Sequence, residues 1–348
     1  MKLPAIDESF LLDFLTRLLD IPSPTGYTHL GIEFIREALV SYPELEIHLN
    51  RKGALTAIWR GEQNPVSRAL TTHVDTLGAM VKEIKPNGRL RLTGIGGLLW
   101  NSVETEGCTV FIRNGEKVRG SLLIEKASAH VYGREANEQK RDDANMEVRL
   151  DAVTHSEQET RELGIEVGDF VAFDPRVEIN NGFVRSRFLD DKACIACVVA
   201  AVRAMHAAGL KPRQTTCLHF SNYEEVGHGA ATGIPDTVSE LVAVDMAAVG
   251  QGQASDEFHA TICLKDSSGP YHFELSQRLR ALAEAHHIPY KTDIYPFYTS
   301  DGGVYWRAGG DVAVALIGPG IDASHNYERT HTQALLATTR WILAYLLS

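Results

Sequence analysis

The stretch Arg68-Ala69-Leu70-Thr71-Thr72-His73-Val74-Asp75 decides how this chain folds. Its apolar run predicts a short buried strand, and a histidine and an aspartate stand at the carboxyl end of that strand. Three later strand-like runs share this layout, because each is followed by an acid or a histidine. They are residues 214–220 before Glu224 and Glu225, residues 241–244 before Asp245, and residues 312–317, with the loop 318–320, before His325.

Helical patterns separate these strands. Residues 10–19 carry apolar side chains at helical spacing, and Asp7 or Ser9 is placed to cap that helix. Similar patterns cover residues 28–40, 192–208, 271–286 and 332–347. Strands that alternate with helices predict an α/β fold with a mostly parallel central sheet covered by helices. Ligands bind beyond the carboxyl ends of strands in such a sheet, so we expect the acids and histidines to meet at one edge.

The stretch between His73 and Asp190 has a different character. Residues 77–180 contain short strand-like runs and glycine turns, including an Asn114-Gly115 pair typical of a hairpin. Residues 135–145 are charged and lack periodicity, which predicts a loop. The sequence therefore predicts a discontinuous catalytic domain, residues 1–76 and 181–348, interrupted by a small β-barrel-like domain.

Composition narrows the class of protein. The 348 residues carry a net charge of -11, which argues against nucleic acid or an anionic membrane as a partner. No apolar run approaches the roughly 18 residues that a membrane span needs, and the N-terminus lacks the layout of a signal peptide. Five cysteines at irregular spacing do not form a disulfide framework. We therefore expect a cytoplasmic protein.

Carboxylates gathered at one sheet edge raise one another's pKa unless cations neutralise them. Histidine and carboxylate ligands without cysteine suit catalytic zinc, cobalt or manganese, and a pair of divalent ions needs one carboxylate that spans both. Each motif alone also has a structural interpretation. Glu224-Glu225 could be a solvated turn, and Asp190-Asp191 or Asp245 could cap a helix.

Five motifs occur in the order found in co-catalytic metallopeptidases. They are Thr72-His73-Val74-Asp75, Phe188-Leu189-Asp190-Asp191-Lys192, Glu224-Glu225-Val226-Gly227, Val244-Asp245 and Ser324-His325. The chain most resembles the TET-type glutamyl and deblocking aminopeptidases, from about residue 18 to its last residue. The long insert after the first motif separates this family from its carboxypeptidase-like and deacylase-like relatives, which hold the first two ligands close together.

The resemblance implies two divalent metal ions, held by five residues. His73, Asp190 and Asp245 would hold one ion, and Asp190, Glu225 and His325 the other. It also implies that the substrate is a short peptide and that the insert joins subunits into a homo-oligomer.

Further roles follow from the same resemblance. Glu224 would be the general base and then the acid, and Asp75 would hydrogen-bond the outer nitrogen of His73. Asp191 would cap the helix or brace the site. Three residues are expected near the substrate: His228, Asp301 in the turn 298–303, and Tyr327.

The chain departs from the family at some positions. Thr76 stands where the family usually has glutamate, and residues 326–331 replace the usual Ser-Pro after His325. The ending, residues 324–331, resembles a bacterial subgroup linked to the osmoprotectant N-acetylglutaminylglutamine amide. Two alternatives therefore stand beside an aminopeptidase: a deacylase or carboxypeptidase of N-acylated or amidated dipeptides, and a metal-stabilised assembly module without activity.

Overall fold

Helices and strands alternate through the structure, a computed structural model that describes residues 2–348 apart from the side chains of residues 64–66. The helices are α1 (Glu8–Leu19), α2 (His29–Leu39), α3 (Trp100–Val103), α4 (Ala129–Tyr132), α5 (Glu135–Glu138), α6 (Glu157–Glu162), α7 (Leu189–Ala207), α8 (Phe273–Ala285), α9 (Asp301–Arg307) and α10 (Thr332–Leu346). The first strands are β1 (Leu45–Leu49), β2 (Leu55–Trp59), β3 (Gln63–His73), β4 (Gly78–Ile84), β5 (Leu90–Ile95), β6 (Gly107–Phe111), β7 (Lys117–Ile124), β8 (Met146–Leu150) and β9 (Phe170–Phe173). The later strands are β10 (Glu178–Asn180), β11 (Phe183–Ser186), β12 (Gln214–Ser221), β13 (Glu240–Val244), β14 (Ala247–Val249), β15 (Ala260–Asp266), β16 (Gly269–Pro270), β17 (Tyr290–Ile294), β18 (Ala313–Asp322) and β19 (Glu328–His331).

The large sheet has the strand order β1-β2-β12-β3-β13-β18-β19-β11-β10. At its centre β3 runs parallel to both β12 and β13, and β13 runs parallel to β18. Strand β13 is buried along nearly its whole length, as expected for a parallel strand covered on both faces. The predicted α/β class with a mostly parallel centre is therefore confirmed.

The helices cover this sheet through apolar contacts. In α1 the side chain of Asp7 caps the helix by accepting a hydrogen bond from the Phe10 amide at 3.0 Å, and Leu15 and Leu18 are buried. Helix α7 packs against both α1 and α10. It is rich in alanine and valine and is buried on almost every side, which explains why its sequence has little amphipathic pattern. Among the described residues, no helix is long and apolar enough to cross a membrane.

Strands β4-β5-β8-β7-β6-β9 close into a barrel. Its interior is apolar, with Leu92, Val110, Leu122 and Val148 almost inaccessible to solvent. Strands β6 and β7 form the hairpin predicted around Asn114-Gly115, with Phe111 opposite Lys117. The inserted β-barrel-like domain that the sequence predicted is thus confirmed as an architecture.

Residues 135–145 are not the plain loop that their composition predicted. They include helix α5, and the Arg141 guanidinium holds the Glu104 carboxylate at 2.9 Å while donating to the carbonyls of Asn137 and Gln139. Ion pairs and hydrogen bonds hold this segment in place. Because such contacts need no regular spacing of apolar residues, the sequence shows no periodicity here.

The predicted loop at residues 318–320 is also wrong, because β18 continues through it to Asp322. Gly318 and Gly320 do not form a turn. They allow neighbouring backbone segments to pass close to β18. A Cβ atom at Gly318 would lie 1.7 Å from the Asp245 carbonyl oxygen, and one at Gly320 would lie 1.9 Å from that of Asp256. Only glycine lets the backbones approach this closely.

Candidate metal centre and active site

Acids and histidines from separate elements meet at the carboxyl edge of the sheet. His73 ends β3, Asp245 follows β13, and Asp190 lies at the start of α7. Ligand atoms of these three residues all lie within 4.8 Å of one another. A second group, Asp190, Glu225 and His325, meets the same limit, so two groups capable of holding a metal ion share one aspartate.

The shared Asp190 faces both histidines. Its Oδ1 lies 3.2 Å from Nε2 of His73, and its Oδ2 lies 3.6 Å from Nε2 of His325. The same His325 nitrogen is 3.5 Å from Oε2 of Glu225. A carboxylate that turns one oxygen to each group has the orientation needed to bridge two cations.

The outer nitrogens of both histidines point to backbone carbonyl oxygens. Nδ1 of His73 lies 2.9 Å from the Asp75 oxygen, and Nδ1 of His325 lies 3.2 Å from the Gly97 oxygen. A proton on Nδ1 satisfies each carbonyl and leaves Nε2 free as a metal ligand. Gly97 lies in the loop after the barrel strand β5, so this loop helps to orient one histidine of the site.

The Asp75 carboxylate was predicted to hydrogen-bond the outer nitrogen of His73, and that prediction is wrong. Its Oδ1 is 3.8 Å from Nδ1 of His73, beyond hydrogen-bond distance. The carboxylate instead accepts hydrogen bonds from the amides of Glu224 and Glu225, at 3.1 and 3.3 Å, and from the Thr25 hydroxyl at 2.7 Å. Asp75 therefore positions the turn that carries both glutamates.

Two other carboxylates brace the site. Asp191, joined to Asp190 by a cis peptide bond, accepts from the Thr72 hydroxyl and the His73 amide, which agrees with the expected bracing role. Glu328 was missed by sequence reasoning. It is 2% exposed and accepts from the amides of Asp190 at 3.1 Å and His325 at 3.0 Å, so it ties the shared aspartate to the distant histidine.

Three segments that carry site residues contain a non-glycine residue in the left-handed region. Phe188, Tyr223 and His325 have φ values of 70°, 72° and 63°. Such residues cost on the order of 1–3 kcal/mol each and persist where surrounding contacts hold them. The turns before α7, before Glu224 and after β18 therefore adopt backbone angles that their residues disfavour, and contacts around the site hold them there.

The electrostatics of the cluster call for cations. Burial raises the pKa of the Asp245 carboxyl to about 7, and it also raises the pKa values of Glu224 and Glu225 well above their usual range, with nearby carboxylates adding to the effect. Burial opposes protonation of His73, but Glu224 and Asp190 outweigh it and raise the pKa of that imidazole. In the described part of the chain the ion-pair partners of Asp190, Glu224 and Glu225 are histidines.

Bound divalent ions would neutralise this buried negative charge, and the mixed nitrogen and oxygen donors fit zinc, cobalt or manganese. The donor set therefore suits the metal ions that the sequence implied.

A cavity of about 190 Å³ opens onto the cluster. Glu224 lies in its wall, 3.7 Å from Nε2 of His73, and belongs to neither metal-capable group. Residues 297–299 also line the cavity, and Phe297 among them is 99% exposed. The cavity thus combines an unassigned carboxylate with an apolar entrance.

The three residues expected near the substrate do not line this cavity. His228 is exposed, and its carbonyl accepts a hydrogen bond from Lys52. Tyr327 stacks on the guanidinium of Arg176 at 4.8 Å and donates its hydroxyl proton to the Arg176 carbonyl. Its hydroxyl proton therefore already has a protein partner, and its expected role near the substrate stays a prediction.

Asp301 is 3% exposed, at the start of α9. Its carboxylate accepts from the hydroxyls of Thr71 and Ser221 and, at 2.7 Å, from the Ala230 amide. These contacts involve both oxygens, and the expected contact with a substrate amine stays a prediction. Asp301 locks the loop after Glu225 against the sheet.

Comparison with known proteins identifies a family. The family model of M42 glutamyl aminopeptidases matches residues 53–340. A Bacillus subtilis (strain 168) protein, YhfE, provisionally named an aminopeptidase, is 46% identical over 338 residues, which cover 97% of each chain. The lysyl aminopeptidase of Pyrococcus furiosus is 25% identical over 194 residues, 56% of this chain and 54% of that protein.

The solved structures support the fold. The Pyrococcus horikoshii TET1 peptidase, described as able to assemble into a tetrahedron or a large octahedral shell, superposes with a TM-score of 0.84 at 20% identity. The match covers 97% of this chain and 99% of the other. At this identity the likeness speaks for the architecture, including the inserted barrel.

Proposed function

This chain belongs to the M42 glutamyl aminopeptidase family, and from that premise we propose that it hydrolyses the N-terminal peptide bond of short peptides with two divalent metal ions. It is a metal-dependent peptide hydrolase of the aminopeptidase class. The number of ions and the roles of individual residues are the proposed part.

The observation that carries the proposal is the orientation of Asp190. With its two oxygens turned toward His73 and His325, it would bridge an ion held with Asp245 and an ion held with Glu225. Zinc, cobalt and manganese all suit these donors. When bound, such ions polarise a carbonyl group and lower the pKa of a water molecule to near 7.

Glu224 is the proposed proton carrier. It stands in the cavity wall outside both metal-capable groups, and the Asp75 carboxylate holds its amide. Its carboxylate would accept a proton from the attacking water and then deliver that proton to the leaving amine.

The lining of the cavity favours a substrate end that carries no carboxylate of its own. The described lining contains four carboxylates and neither lysine nor arginine. Two divalent ions would neutralise these carboxylates, and no lysine or arginine of this lining would be left to pair with the terminal carboxylate that a carboxypeptidase recognises. The small volume of about 190 Å³ suits the end of a peptide.

The organisation of the protein is proposed on the same basis. Residues 1–76 and 181–348 would form the catalytic domain, and residues 77–180 the insert through which subunits form a homo-oligomer. The assembly of the Pyrococcus horikoshii TET1 peptidase supports the second point. Five buried cysteines without disulfides support a cytoplasmic location.

The test is hydrolysis of aminoacyl anilides and N-acyl dipeptide amides by chelator-stripped protein, with zinc, cobalt or manganese added back singly. We expect metal-restored cleavage of the free-amine substrates. Cleavage confined to acylated or amidated dipeptides would favour the deacylase interpretation and the osmoprotectant link, which stays a prediction. An absence of cleavage with every metal would favour an assembly module.

A further inference from the structure

Half of the lining of the metal-centre cavity has no part in metal binding or proton transfer. Four lining residues belong to the metal-capable groups, and Glu224 is the proposed proton carrier. The other five carry no charge, and together they are called the uncharged wall: Gly227, Met246, Phe297, Tyr298 and Thr299. This wall is the part of the cavity that is left to contact the side chain of a substrate's first residue.

The polar side-chain atoms of the uncharged wall are already engaged. The Thr299 hydroxyl pairs with the Ser268 hydroxyl at 3.0 Å. The Tyr298 hydroxyl is inaccessible to solvent and interacts with the Asp245 carboxyl. Met246 has no polar group in its side chain beyond a thioether, a weak acceptor. The wall therefore offers a substrate mainly apolar surface.

Gly227 leaves room for a side chain against this wall. Nothing lies within 4 Å of the position that a Cβ atom would take there. A neighbouring cavity, whose lining includes Ser102 and Asp190, has a volume of about 10 Å³, which is room for about one water molecule. Of these two cavities beside the metal-capable groups, the one with the uncharged wall is large enough for a substrate side chain.

Phe297 is the exposed apolar member of the wall. Its side chain is 99% exposed, so the ring gains almost nothing from burial in the chain alone. An apolar substrate side chain lying on the ring would remove surface of both partners from water.

Charged substrate side chains find no partner in this cavity. A glutamyl side chain would need a cation, and the described lining contains neither lysine nor arginine. A lysyl side chain would need a free carboxylate, and the four carboxylates of the lining are those proposed to hold the ions or to carry the proton. A charge that loses hydration without gaining a partner is unfavourable, and an uncharged side chain avoids this cost.

We propose that the enzyme prefers peptides whose first residue has a large apolar side chain, such as leucine, methionine or phenylalanine, and that Phe297 determines this preference by packing on that side chain. This inference rests on the proposed function and names the substrate class of the same site.

The first experiment compares leucyl, alanyl, glutamyl and lysyl anilides with the metal-loaded enzyme. We expect kcat/KM for the leucyl substrate to exceed that for the alanyl substrate by at least about 10-fold, because buried methylene groups discriminate to this extent. The glutamyl and lysyl substrates should also fall below the leucyl substrate.

Two substitutions at Phe297 separate packing on the substrate from a structural role. Phe297→Ala should lower kcat/KM for the leucyl substrate by about 10-fold and leave that for the alanyl substrate within about twofold, since an alanyl side chain has little surface to lose. Phe297→Arg supplies a cation and should raise the ratio of glutamyl to leucyl activity by about 10-fold. Phe273→Ala is the matched control, because that ring is 69% exposed and does not line the cavity, and it should leave every ratio unchanged.

A binding measurement adds a readout that does not depend on turnover. Calorimetry with metal-loaded Glu224→Gln should show tighter binding of leucine than of glutamate or lysine, and Phe297→Ala in that background should weaken the binding of leucine alone. A preference of the active wild type for glutamyl or lysyl anilides, or equal substrate ratios in Phe297→Ala and Phe273→Ala, would overturn the inference and leave the proposed function standing. An absence of cleavage of every free-amine anilide would remove the proposed function and this inference together.

Discussion

Buried charge is treated differently in the barrel and at the sheet edge. In the barrel the Glu147 carboxylate is 2% exposed and is paired with Lys85 and Arg89, each at 2.5 Å. At the edge, Asp245 is 5% exposed and has neither lysine nor arginine as a partner among the described residues. The barrel neutralises its buried acid with its own cations, and the edge does not.

The contrast teaches where this protein gives up stability for function. Breaking a buried pair is costly because a charge is left uncompensated, so an unpaired carboxylate cluster is unfavourable in the folded chain alone. Such a cluster is reasonable where cations from outside complete it. The two regions meet at Arg187, which precedes Asp190 by three residues. Its guanidinium pairs with the carboxylate of Glu106, next to barrel strand β6, at 2.6 Å.

The largest expected effect separates chemistry from metal binding. Glu224→Gln should lower kcat by about 10²–10⁴-fold, because the amide cannot carry the proton. Glu224 belongs to neither of the two metal-capable groups, so the metal content measured by mass spectrometry should stay near that of the wild type. Near-normal turnover in this variant would mean that the proton carrier is a different group.

The barrel should respond in stability and not in chemistry. Leu122→Ala removes a fully buried side chain from the barrel interior and should lower the free energy of unfolding by about 2–5 kcal/mol. Urea denaturation measures this effect, and Leu99→Ala, at a side chain 46% exposed, is the control. If kcat per folded molecule also fell steeply, the comparison between a structural barrel and a reactive edge would fail.

Removal of metal should destabilise the edge. With ions at about 100 times their Kd, chelation should cost about 3 kcal/mol per site, since the ions bind the folded state. The melting temperature should fall on stripping and recover on addition of zinc, cobalt or manganese. Asp190→Asn, which alters the shared carboxylate, should show little recovery, and a full recovery there would argue against bridging.

The smallest effect is expected where the two regions touch. A Cβ atom at Gly97 would lie 2.8 Å from Nδ1 of His325, so Gly97→Ala should displace that ring and weaken metal binding by about 10-fold. Gly250→Ala is the control, because nothing lies within 4 Å of a Cβ there. Equal metal affinities in the two variants would show that the barrel loop does not orient His325.

Much of the site could be predicted from the sequence, because the end of a strand is visible locally. The apolar runs before His73, Asp245 and His325 indicate buried strands, and parallel strands bring their carboxyl ends together. The cap at Asp7 was equally local, because the Phe10 amide whose hydrogen bond it accepts lies three residues away. Each depends on neighbours within a few residues.

The contacts that could not be predicted share a cause. Asp301 was expected near a substrate because of its acidic turn, and its hydrogen-bond partners in the structure are Thr71, Ser221 and Ala230, far away in the chain. Tyr298 and Thr299 begin that same turn and received no role, although both line the cavity. Which member of a turn faces the site depends on packing that no local pattern records.

The sequence by itself determined the α/β class, the inserted barrel and which acids and histidines stand at strand ends, since hydrophobic period and motif order are properties of short segments. Only the tertiary structure decided which of these atoms meet and what supports them. The Gly97 carbonyl beside His325 and the Glu328 carboxylate between Asp190 and His325 are contacts between distant segments. Their geometry exists only once the barrel and the sheet have packed together.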